Sequence, residues 1–163
     1  KSNILGEPGK GFKQFLKTLT IGRISISALA LGNAVGAYEI ALKYSNEREA
    51  FNKKINQFQG VSFKLADMET QIQASRQLIY HAAWLKDNNK DVIKDAAIAK
   101  LFSSEAAMNI TTEAIQVLGG YGYIKEYDVE RFFRDAKILT IGEGTSEVQK
   151  IVIAREILKK YMI

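Results

Sequence analysis

At 163 residues, 47% of them hydrophobic, the chain is long enough to bury the core of one domain and too short to predict two. The absence of cysteine excludes disulfides and cysteine-ligated metals and fits a reducing compartment, and a single histidine excludes a multi-histidine metal site, so we expect no metal. The net charge of +5 comes from 23 basic residues scattered among 18 acidic ones, which predicts a solvated surface rather than nucleic-acid binding.

The ends and apolar segments of the chain give two further expectations. We find no apolar run of the roughly 18 residues that a membrane-spanning helix needs, and no recognisable signal peptide, so we expect a soluble protein without membrane contact. The chain begins with Lys1 rather than methionine and passes at once into a turn-like segment from Ile4 to Gly11. We therefore expect it to be one domain of a longer protein.

A long first helix is predicted from about Phe12 to Tyr44, where apolar side chains recur at helical spacing. These side chains are Phe12, Phe15, Leu19, Ile26, Leu29, Val35 and Ile40. Gly22, Gly32 and Gly36 interrupt the helix, and each costs up to about 1 kcal/mol relative to alanine. Close approach by a neighbour or ligand would offset that cost, with ordinary small-residue packing accounting for two of the three.

A polar connector follows, from about Asn46 to Gln59, with Asn52 suited to a left-handed turn conformation. A second helix is predicted from about Val61 to Asp87, because its apolar residues alternate steps of four and three, the spacing of a helix-bundle seam. The seam consists of Val61, Leu65, Met68, Ile72, Ser75, Ile79 and Ala82. His81 lies among apolar residues of this helix, where we expect a structural histidine rather than a catalytic one.

A short turn from Asp87 to Lys90 leads to a third helix, which stops at Gly119-Gly120. Its apolar residues are Ile98, Leu101, Phe102, Met108, Ile115 and Leu118. The segment from Tyr121 to Gly144 is irregular, apart from a short amphipathic stretch at Val129 to Ala136.

A capping-box pattern formed by Ser146 and Gln149 predicts the start of a last helix, which continues to Leu158. The sequence contains four principal helical segments and no strand signal. Short turns between helices imply antiparallel neighbours, so we predict an all-α fold, an antiparallel up-down four-helix bundle.

The loop Gly142-Glu143-Gly144 is the strongest candidate for chemistry, because flanking glycines leave the Glu143 carboxylate uncovered and allow another molecule to approach its backbone. The helix that follows presents unpaired N–H groups and the hydroxyls of Thr145 and Ser146, so an anion such as a phosphate fits there. An ordinary helix-capping loop would have the same local sequence.

Two other segments are weaker candidates. The segment from Gln116 to Tyr123 ends a helix with closely spaced glycines and two aromatic rings, a pattern that a plain C-cap and turn would also have. Arg48 lies in the polar connector, where its guanidinium suits a bidentate phosphate contact, although an isolated exposed arginine is weak evidence for a ligand.

In their order and separation these segments resemble the C-terminal domain of the acyl-CoA dehydrogenase family, in particular its short-chain and butyryl-type members. The resembling segments are ILGEPGKGF, GR followed by a helix, REAFNKKINQFQGVSFKLADM, QVLGGYGYIKEYDVERFFRDAKI and IGEGTSEVQKIVIAR. The resemblance covers nearly the whole chain and is most specific in the last two segments. It implies that residues 1–163 are the C-terminal bundle of a homo-oligomeric enzyme, dimeric or tetrameric, whose N-terminal helical and middle β domains are absent from this chain.

The resemblance also implies an activity. It is the FAD-dependent oxidation of acyl-CoA thioesters to trans-2-enoyl-CoA, as in fatty acid β-oxidation, in the cytoplasm or in the mitochondrial matrix of a eukaryote. The base position of the family's GEGTSE motif falls on Glu143, which would remove the proton α to the thioester carbonyl while the β-hydride passes to flavin. An electron-transferring flavoprotein is the implied electron acceptor.

Binding residues follow from the same resemblance. FAD contacts are implied for Arg48, Gln59, Gln116, Val117, Leu118, Gly119, Gly120, Thr145, Ser146 and Glu147, with the segment from Gln116 to Gly120 reaching the cofactor of a neighbouring subunit. Acyl-CoA contacts are implied for Thr20, Ile21, Gly22, Arg23 and Gly144. Thr20 stands where an acidic residue is common, which weakens its contact with CoA. Asn52 replaces a common glycine, and Gly142 replaces a common tyrosine and would widen the space beside the thioester.

Two alternatives stay open at this point. A noncatalytic bundle kept for oligomerisation or DNA-associated work, as in alkylation-response relatives, fits the basic charge, whereas an intact Glu143 in its motif argues against it. A flavin oxidase or monooxygenase on the same scaffold would differ in how reduced flavin meets oxygen.

Overall fold

The computed structural model describes residues 3–161, and helices make up most of this part of the chain. The helices are α1 (Gly11–Glu47), α2 (Gln59–Asp87), α3 (Ile93–Leu118), α4 (Gly120–Tyr123), α5 (Val129–Leu139) and α6 (Ser146–Leu158). Two short strands, β1 (Glu49–Ala50) and β2 (Lys53–Lys54), and a 3-10 turn (Ile55–Gln57) lie between α1 and α2, and a second 3-10 turn (Lys159–Tyr161) follows α6. The predicted all-α fold is confirmed.

Helices α2 and α3 pack antiparallel. Lys64 of α2 pairs with Glu113 of α3, and further along α2 the Gln71 side chain accepts a hydrogen bond from Asn109 at 3.0 Å. Residue numbers therefore fall along α3 as they rise along α2. Helix α3 contacts α1, α2, α5 and α6, so it forms the centre of the domain and connects the two sides of the core.

The predicted seam on α2 is confirmed. Its buried residues are Leu65, Met68, Ile72, Ser75, Ile79 and Ala82, all of which the four-and-three spacing identified. Met68 and Ile72 are the large side chains of this seam that are almost completely buried. They pack in one cluster with Ile110 of α3, and this cluster joins α2 to the centre of the domain.

Apart from Arg23, the buried face of α1 consists of small residues rather than the large apolar ones. Its buried residues are Arg23, Ser27, Ala30, Ala34, Ala37, Ala41 and Ser45. The face of α3 is similar and includes Ala96, Ala97, Ala99, Ser103, Ser104, Ala106 and Ala107. Phe12, Phe15 and Leu29, by contrast, are more than half exposed. Small side chains allow two helices to pack closely. The spacing of large apolar residues therefore predicted the helix α1 correctly but did not predict which of its faces is buried.

The connector between α1 and α2 contains strands that the sequence did not predict. Strands β1 and β2 pair antiparallel over two residues each. Asn52 has a φ of 62°, which confirms its left-handed conformation, and Phe51 has a φ of 52°. Two successive left-handed residues make a tight hairpin turn. Turn geometry therefore forms this hairpin, and such short strands leave no alternating pattern in the sequence.

The start of α6 differs from the predicted capping box. The N-cap is Thr145, whose hydroxyl oxygen accepts a hydrogen bond from the Val148 N–H at 3.3 Å. Ser146 is already in the first turn and is buried, so it cannot cap the helix. The Gln149 side chain does not reach back to Ser146 but donates to the carbonyl groups of Glu143 and Gly144.

The prediction that His81 lies among apolar neighbours is wrong. Its side chain is more than half exposed, and its ring is stacked on Trp84 with the centroids 6.5 Å apart. His81 Nε2 lies 3.7 Å from a carboxylate oxygen of Asp95. The helical period around position 81 placed it one step outside the buried seam of α2.

The expectation that no segment has the length and apolar composition of a membrane helix is wrong for α1. This helix contains an 18-residue window with a mean hydropathy of 1.3. Core helices of soluble proteins pass the same compositional test, and α1 packs against α2, α3 and α5. Length and composition alone therefore do not make α1 a membrane segment.

Candidate functional site

The loop between α5 and α6 holds Glu143 in an unusual backbone conformation. Glu143 has a φ of 56° and Gly144 a φ of 94°, so two successive residues lie in the left-handed region. A residue with a side chain rarely adopts this conformation unless its surroundings hold it there. The Ile138 carbonyl begins the loop, because it accepts hydrogen bonds from the N–H groups of Ile141 at 3.0 Å and Gly142 at 2.8 Å.

Two buried side chains hold the carbonyl groups of this loop. Lys100 of α3 donates from Nζ to the Gly144 carbonyl oxygen at 2.8 Å. Gln149 of α6 donates from Nε2 to the same oxygen at 2.8 Å and to the Glu143 carbonyl oxygen at 3.2 Å. Both side chains are completely buried. The loop is thus fixed from two helices by donors that solvent does not reach.

The Glu143 carboxylate lies against α1 at Gly22. A Cβ atom added to Gly22 would come within 2.7 Å of Glu143 Oε2, so only glycine leaves room for the carboxylate there. Arg23, the next residue along α1, is buried. Burial and the nearby Arg155 lower the pKa of Arg23, and the Glu143 charge acts in the opposite direction. The structure therefore brings Gly22, Arg23, Glu143 and Gly144 together.

Glu143 faces a cluster of charges from several elements. Burial lowers the pKa of Lys100, and Arg23 lowers it further. The charges of Glu105, Glu147 and Glu143 act in the opposite direction. Two buried cations, one from α1 and one from α3, therefore face the loop together with several carboxylates.

Thr20 and Ile21, the other α1 residues predicted to contact acyl-CoA, directly precede Gly22. The Thr20 hydroxyl donates to the Leu16 carbonyl at 3.0 Å, which engages it within the helix. Ile21 is partly exposed and offers an apolar surface next to Gly22. Of the two side chains, Ile21 is the one that geometry leaves available to an acyl chain.

A second group of predicted residues lines an open cavity of about 450 Å³ near the C-terminal end of α3. The lining residues are Tyr44, Arg48, Ile55, Gln116, Val117, Leu118, Gly119, Gly120, Tyr121 and Ile124. Gly119 has a φ of 61°, and a Cβ atom added to Gly119 or Gly120 would meet no atom within 4 Å. The backbone there is open to close approach. Gln59, predicted with this group, is an exposed residue at the start of α2 and does not line the cavity.

Thr145, Ser146 and Glu147 line a third site, an open cavity of about 400 Å³ beside the start of α6. Hydrogen bonds from its own backbone N–H and from the Thr145 side chain lower the pKa of Glu147. This carboxylate thus already occupies part of the N–H surface at the helix start, where the sequence suggested that an external anion fits.

Lys100 and Gln149 are site residues that the sequence did not identify. Lys100 lies in the apolar run Ala-Ile-Ala-Lys-Leu-Phe. Lysine is rarely buried, so a lysine within an apolar run of a central helix was the sequence feature that could have identified it. Gln149 was interpreted as a capping residue, because its spacing from Ser146 fitted that motif. Its contacts with the Glu143 loop depend on a backbone turn that the spacing does not specify.

Comparison with known proteins adds independent information on the chain. The family model for the acyl-CoA dehydrogenase C-terminal domain matches residues 9–158. The chain is 56% identical over 158 residues to the probable acyl-CoA dehydrogenase YngJ of Bacillus subtilis, covering 97% of this chain and 42% of that protein. It is 52% identical to the solved butyryl-CoA dehydrogenase from Megasphaera elsdenii, with a TM-score of 0.95 and coverage of 96% of this chain and 41% of that one.

A chain in a solved structure of the electron transferring flavoprotein of Acidaminococcus fermentans is also similar. It is 50% identical, with a TM-score of 0.95, and the likeness covers 96% of this chain and 41% of that one. The chain therefore spans about two fifths of the length of the relatives that it matches.

Proposed function

The chain belongs to the acyl-CoA dehydrogenase family, and we propose that it supplies the catalytic base of a longer enzyme of butyryl or short-chain type. The observation that carries the proposal is the position of the Glu143 carboxylate, which a left-handed loop holds against Gly22. The chain spans about two fifths of the length of its relatives, and we propose from the family resemblance that the whole enzyme also contains an N-terminal helical domain and a middle β domain.

The proposed reaction begins with removal of the proton α to the thioester carbonyl, and Glu143 would accept that proton. The α-proton is weakly acidic, so the carbonyl oxygen needs hydrogen-bond donors that are already in place. The backbone N–H of Glu143 would be one such donor, and a donor of this kind is typically worth about 3 to 4 kcal/mol. Bound FAD would supply the chemistry of β-hydride acceptance, and the product would be a trans-2-enoyl-CoA.

The cavity of about 450 Å³ near the C-terminal end of α3, here called the Arg48 cavity, is lined by residues that fit a flavin nucleotide. The exposed Arg48 guanidinium suits a phosphate, and the open backbone at Gly119 and Gly120 permits close contact. The rings of Tyr44 and Tyr121, with centroids 6.3 Å apart, add aromatic surface. We propose that FAD is held by the residues that the family resemblance assigns, namely Arg48, Gln59, Gln116, Val117, Leu118, Gly119, Gly120, Thr145, Ser146 and Glu147.

Two groups of predicted site residues lie far apart along α3. Lys100 holds the Glu143 loop, whereas Gln116 lines the Arg48 cavity, and about 24 Å of helix separates these two positions. The two sites therefore lie at different parts of the domain. We propose that the segment from Gln116 to Gly120 contacts the FAD of a neighbouring subunit in a dimer or tetramer.

The proposed substrate is a short acyl-CoA, with Thr20, Ile21, Gly22, Arg23 and Gly144 lining its site. The contact between Gly22 and the Glu143 carboxylate supports this assignment, and the similarity to a butyryl-CoA dehydrogenase supports short chains. Thr20 has the least support, since its hydroxyl is bonded within the helix. The likeness to a chain in an electron transferring flavoprotein structure supports such a protein as the electron acceptor.

Anaerobic mixing of the full-length holoenzyme with butyryl-CoA tests the proposal. The wild-type flavin absorbance should bleach, and Glu143→Gln should slow bleaching about 10²- to 10⁴-fold at unchanged FAD content, because a general base contributes that much. Glu130→Gln is the matched control, since this carboxylate pairs with Arg134 on α5. It should bleach at the wild-type rate. Wild-type bleaching in Glu143→Gln would refute the proposed function.

A further inference from the structure

We propose that Lys100 is a positioning residue for Glu143: its buried side chain holds the Gly144 carbonyl and thereby fixes the left-handed Glu143–Gly144 backbone. This inference rests on the proposed role of Glu143 as the base. Lys100 lies on the central helix α3, whose other buried residues are small or apolar apart from hydroxyl groups. A charged side chain at this position therefore needs a specific reason.

The first part of the argument is the geometry of the loop. The Gly144 carbonyl oxygen accepts one hydrogen bond from Lys100 Nζ and one from Gln149 Nε2, each at 2.8 Å. A carbonyl oxygen has two lone pairs, so both are used by buried donors. Rotation of the Gly144–Thr145 peptide would break both bonds at once, and the Gln149 bond to the Glu143 carbonyl oxygen at 3.2 Å holds the preceding Glu143–Gly144 peptide. The direction of the Glu143 side chain therefore depends on these two donors.

The second part is the cost of burying an ammonium group. Lys100 has no exposed surface and is among the largest fully buried side chains of residues 3–161. Burial lowers its pKa, which shows that the charged form is disfavoured there. Methionine would fill a similar volume without that cost. Packing alone therefore does not explain a lysine, whereas the bond to Gly144 does.

The third part is charge. The groups that face Lys100 and Glu143 come from several elements and have both signs. They are Arg23 from α1, Glu105 from α3, and Glu147 and Arg155 from α6. Within this cluster Lys100 adds one positive charge beside the proposed base. The Lys100 ammonium group therefore attracts the Glu143 carboxylate as well as holding the Gly144 carbonyl oxygen.

The test compares Lys100→Met, which removes donor and charge, with Lys100→Gln, which keeps an N–H donor without the charge, in the full-length holoenzyme. Lys100→Met should retain FAD and bleach with butyryl-CoA about 10- to 100-fold more slowly, because small misplacement of a catalytic group has effects of this size. Amide hydrogen exchange of the loop from Ile141 to Val148 should become faster.

Lys100→Gln should separate donor from charge, because the N–H donor that it keeps should restore part of the rate and of the loop protection that Lys100→Met loses. Lys64→Met is the control, because Lys64 bonds Glu113 between α2 and α3 outside the loop. It should keep the wild-type rate and loop exchange. A wild-type rate and wild-type loop exchange in Lys100→Met overturn the positioning role. If neither Lys100 variant retains FAD while Lys64→Met does, Lys100 is a structural residue and the positioning role is rejected.

Glu143→Gln, measured alongside, separates this inference from the proposed function. If Glu143→Gln bleaches at the wild-type rate, the proposed base is wrong and the role of Lys100 is lost with it. If Glu143→Gln fails to bleach and both Lys100 variants behave as wild type, the base stands and only the positioning role fails.

Discussion

At the residue scale, the site depends on a glycine that has no side chain and on two residues that have a left-handed backbone conformation. Gly22 leaves room for the Glu143 carboxylate, and the left-handed φ angles of Glu143 and Gly144 direct it there. The glycines around Glu143 were visible in the sequence and correctly indicated a special loop. The contact with Gly22 was not visible, because it joins residues that are far apart in the chain.

Substitution of Gly22 by alanine should impair catalysis more than folding. The added Cβ would lie 2.7 Å from Glu143 Oε2, the end of a flexible side chain, so the carboxylate can move away at little cost to the fold. We expect bleaching of the full-length enzyme by butyryl-CoA to fall by about 10²-fold, the effect of a misplacement near 1 Å. The thermal midpoint should not decrease.

Gly32→Ala is the matched control on the same helix. A Cβ atom there would meet no atom within 4 Å, so the substitution should stabilise α1 by about 0.5 to 1 kcal/mol and leave the bleaching rate unchanged. An unchanged rate in Gly22→Ala would show that the carboxylate does not need its place against α1.

At the element scale, α1 is the helix on which the other parts of the site dock. Its small buried residues allow α3 to approach, Gly22 receives the Glu143 loop, and Gly36 receives the ring of Phe132 from α5. The sequence predicted the helices and the α2 seam, since both follow from periodicity. It did not predict the buried faces of α1 and α3, because there close packing selects small volume over hydrophobicity.

Gly36→Ala should destabilise the docking of α5 on α1. The new Cβ would lie 2.7 Å from Cε1 of Phe132, and the ring must shift within a packed interface. We expect a loss of about 1 to 3 kcal/mol in the free energy of unfolding, as for other overpacked cores. Urea unfolding measures this loss, with Gly32→Ala again as the control that should gain stability. Equal stabilisation by both substitutions would contradict this account of the interface.

At the scale of the whole molecule, a few titrating groups should determine how stability depends on pH. Attractive contacts lower the pKa values of four carboxyl groups below 4.5, those of Glu49, Glu130, Glu147 and Glu156. The stability that these contacts contribute is therefore fully present above pH 4.5 and is lost as the pH falls through the lowered pKa values. Burial of the Lys100 charge destabilises the folded protein at neutral pH, and its effect on stability has the same sign of pH dependence in a higher pH range. The pKa of Lys100 is lowered from 10.5 by burial, so the unfolded chain binds more protons and stability should rise with pH between the lowered pKa and 10.5.

The contribution of Lys100 can be isolated by comparison with Lys100→Met. The difference in unfolding free energy, wild type minus variant, should increase as pH rises toward about 10, in urea unfolding at a series of pH values. Higher pH is avoided because burial raises the pKa values of Tyr38 and Tyr44 above 10.0, and their titration would then reduce stability. A difference that is constant over this range would contradict the burial of a charged Lys100.

The sequence predicted the arrangement of the helices more completely than it predicted the contacts within the site. Short turns gave the antiparallel order, and the motifs around Arg48, Gln116 and Glu143 pointed to the segments that line the cavities and the charged loop. The donors Lys100 and Gln149 were missed, since each contacts the loop only after α3 and α6 have packed. Large side chains such as Phe12 and Phe15 are more than half exposed, and the proposed longer enzyme would offer surfaces to cover them.

Hydrogen exchange at the α-carbon of a substrate analogue tests the role of Glu143 most directly. The thioester 3,3-dimethylbutyryl-CoA has α-hydrogens but no β-hydrogen, so proton removal can be followed without hydride transfer. In deuterium oxide the full-length holoenzyme should exchange these α-hydrogens, detected as an increase in thioester mass, and Glu143→Gln should lose the exchange at unchanged FAD content. Exchange by Glu143→Gln at the wild-type rate would contradict the assignment of this carboxylate as the base.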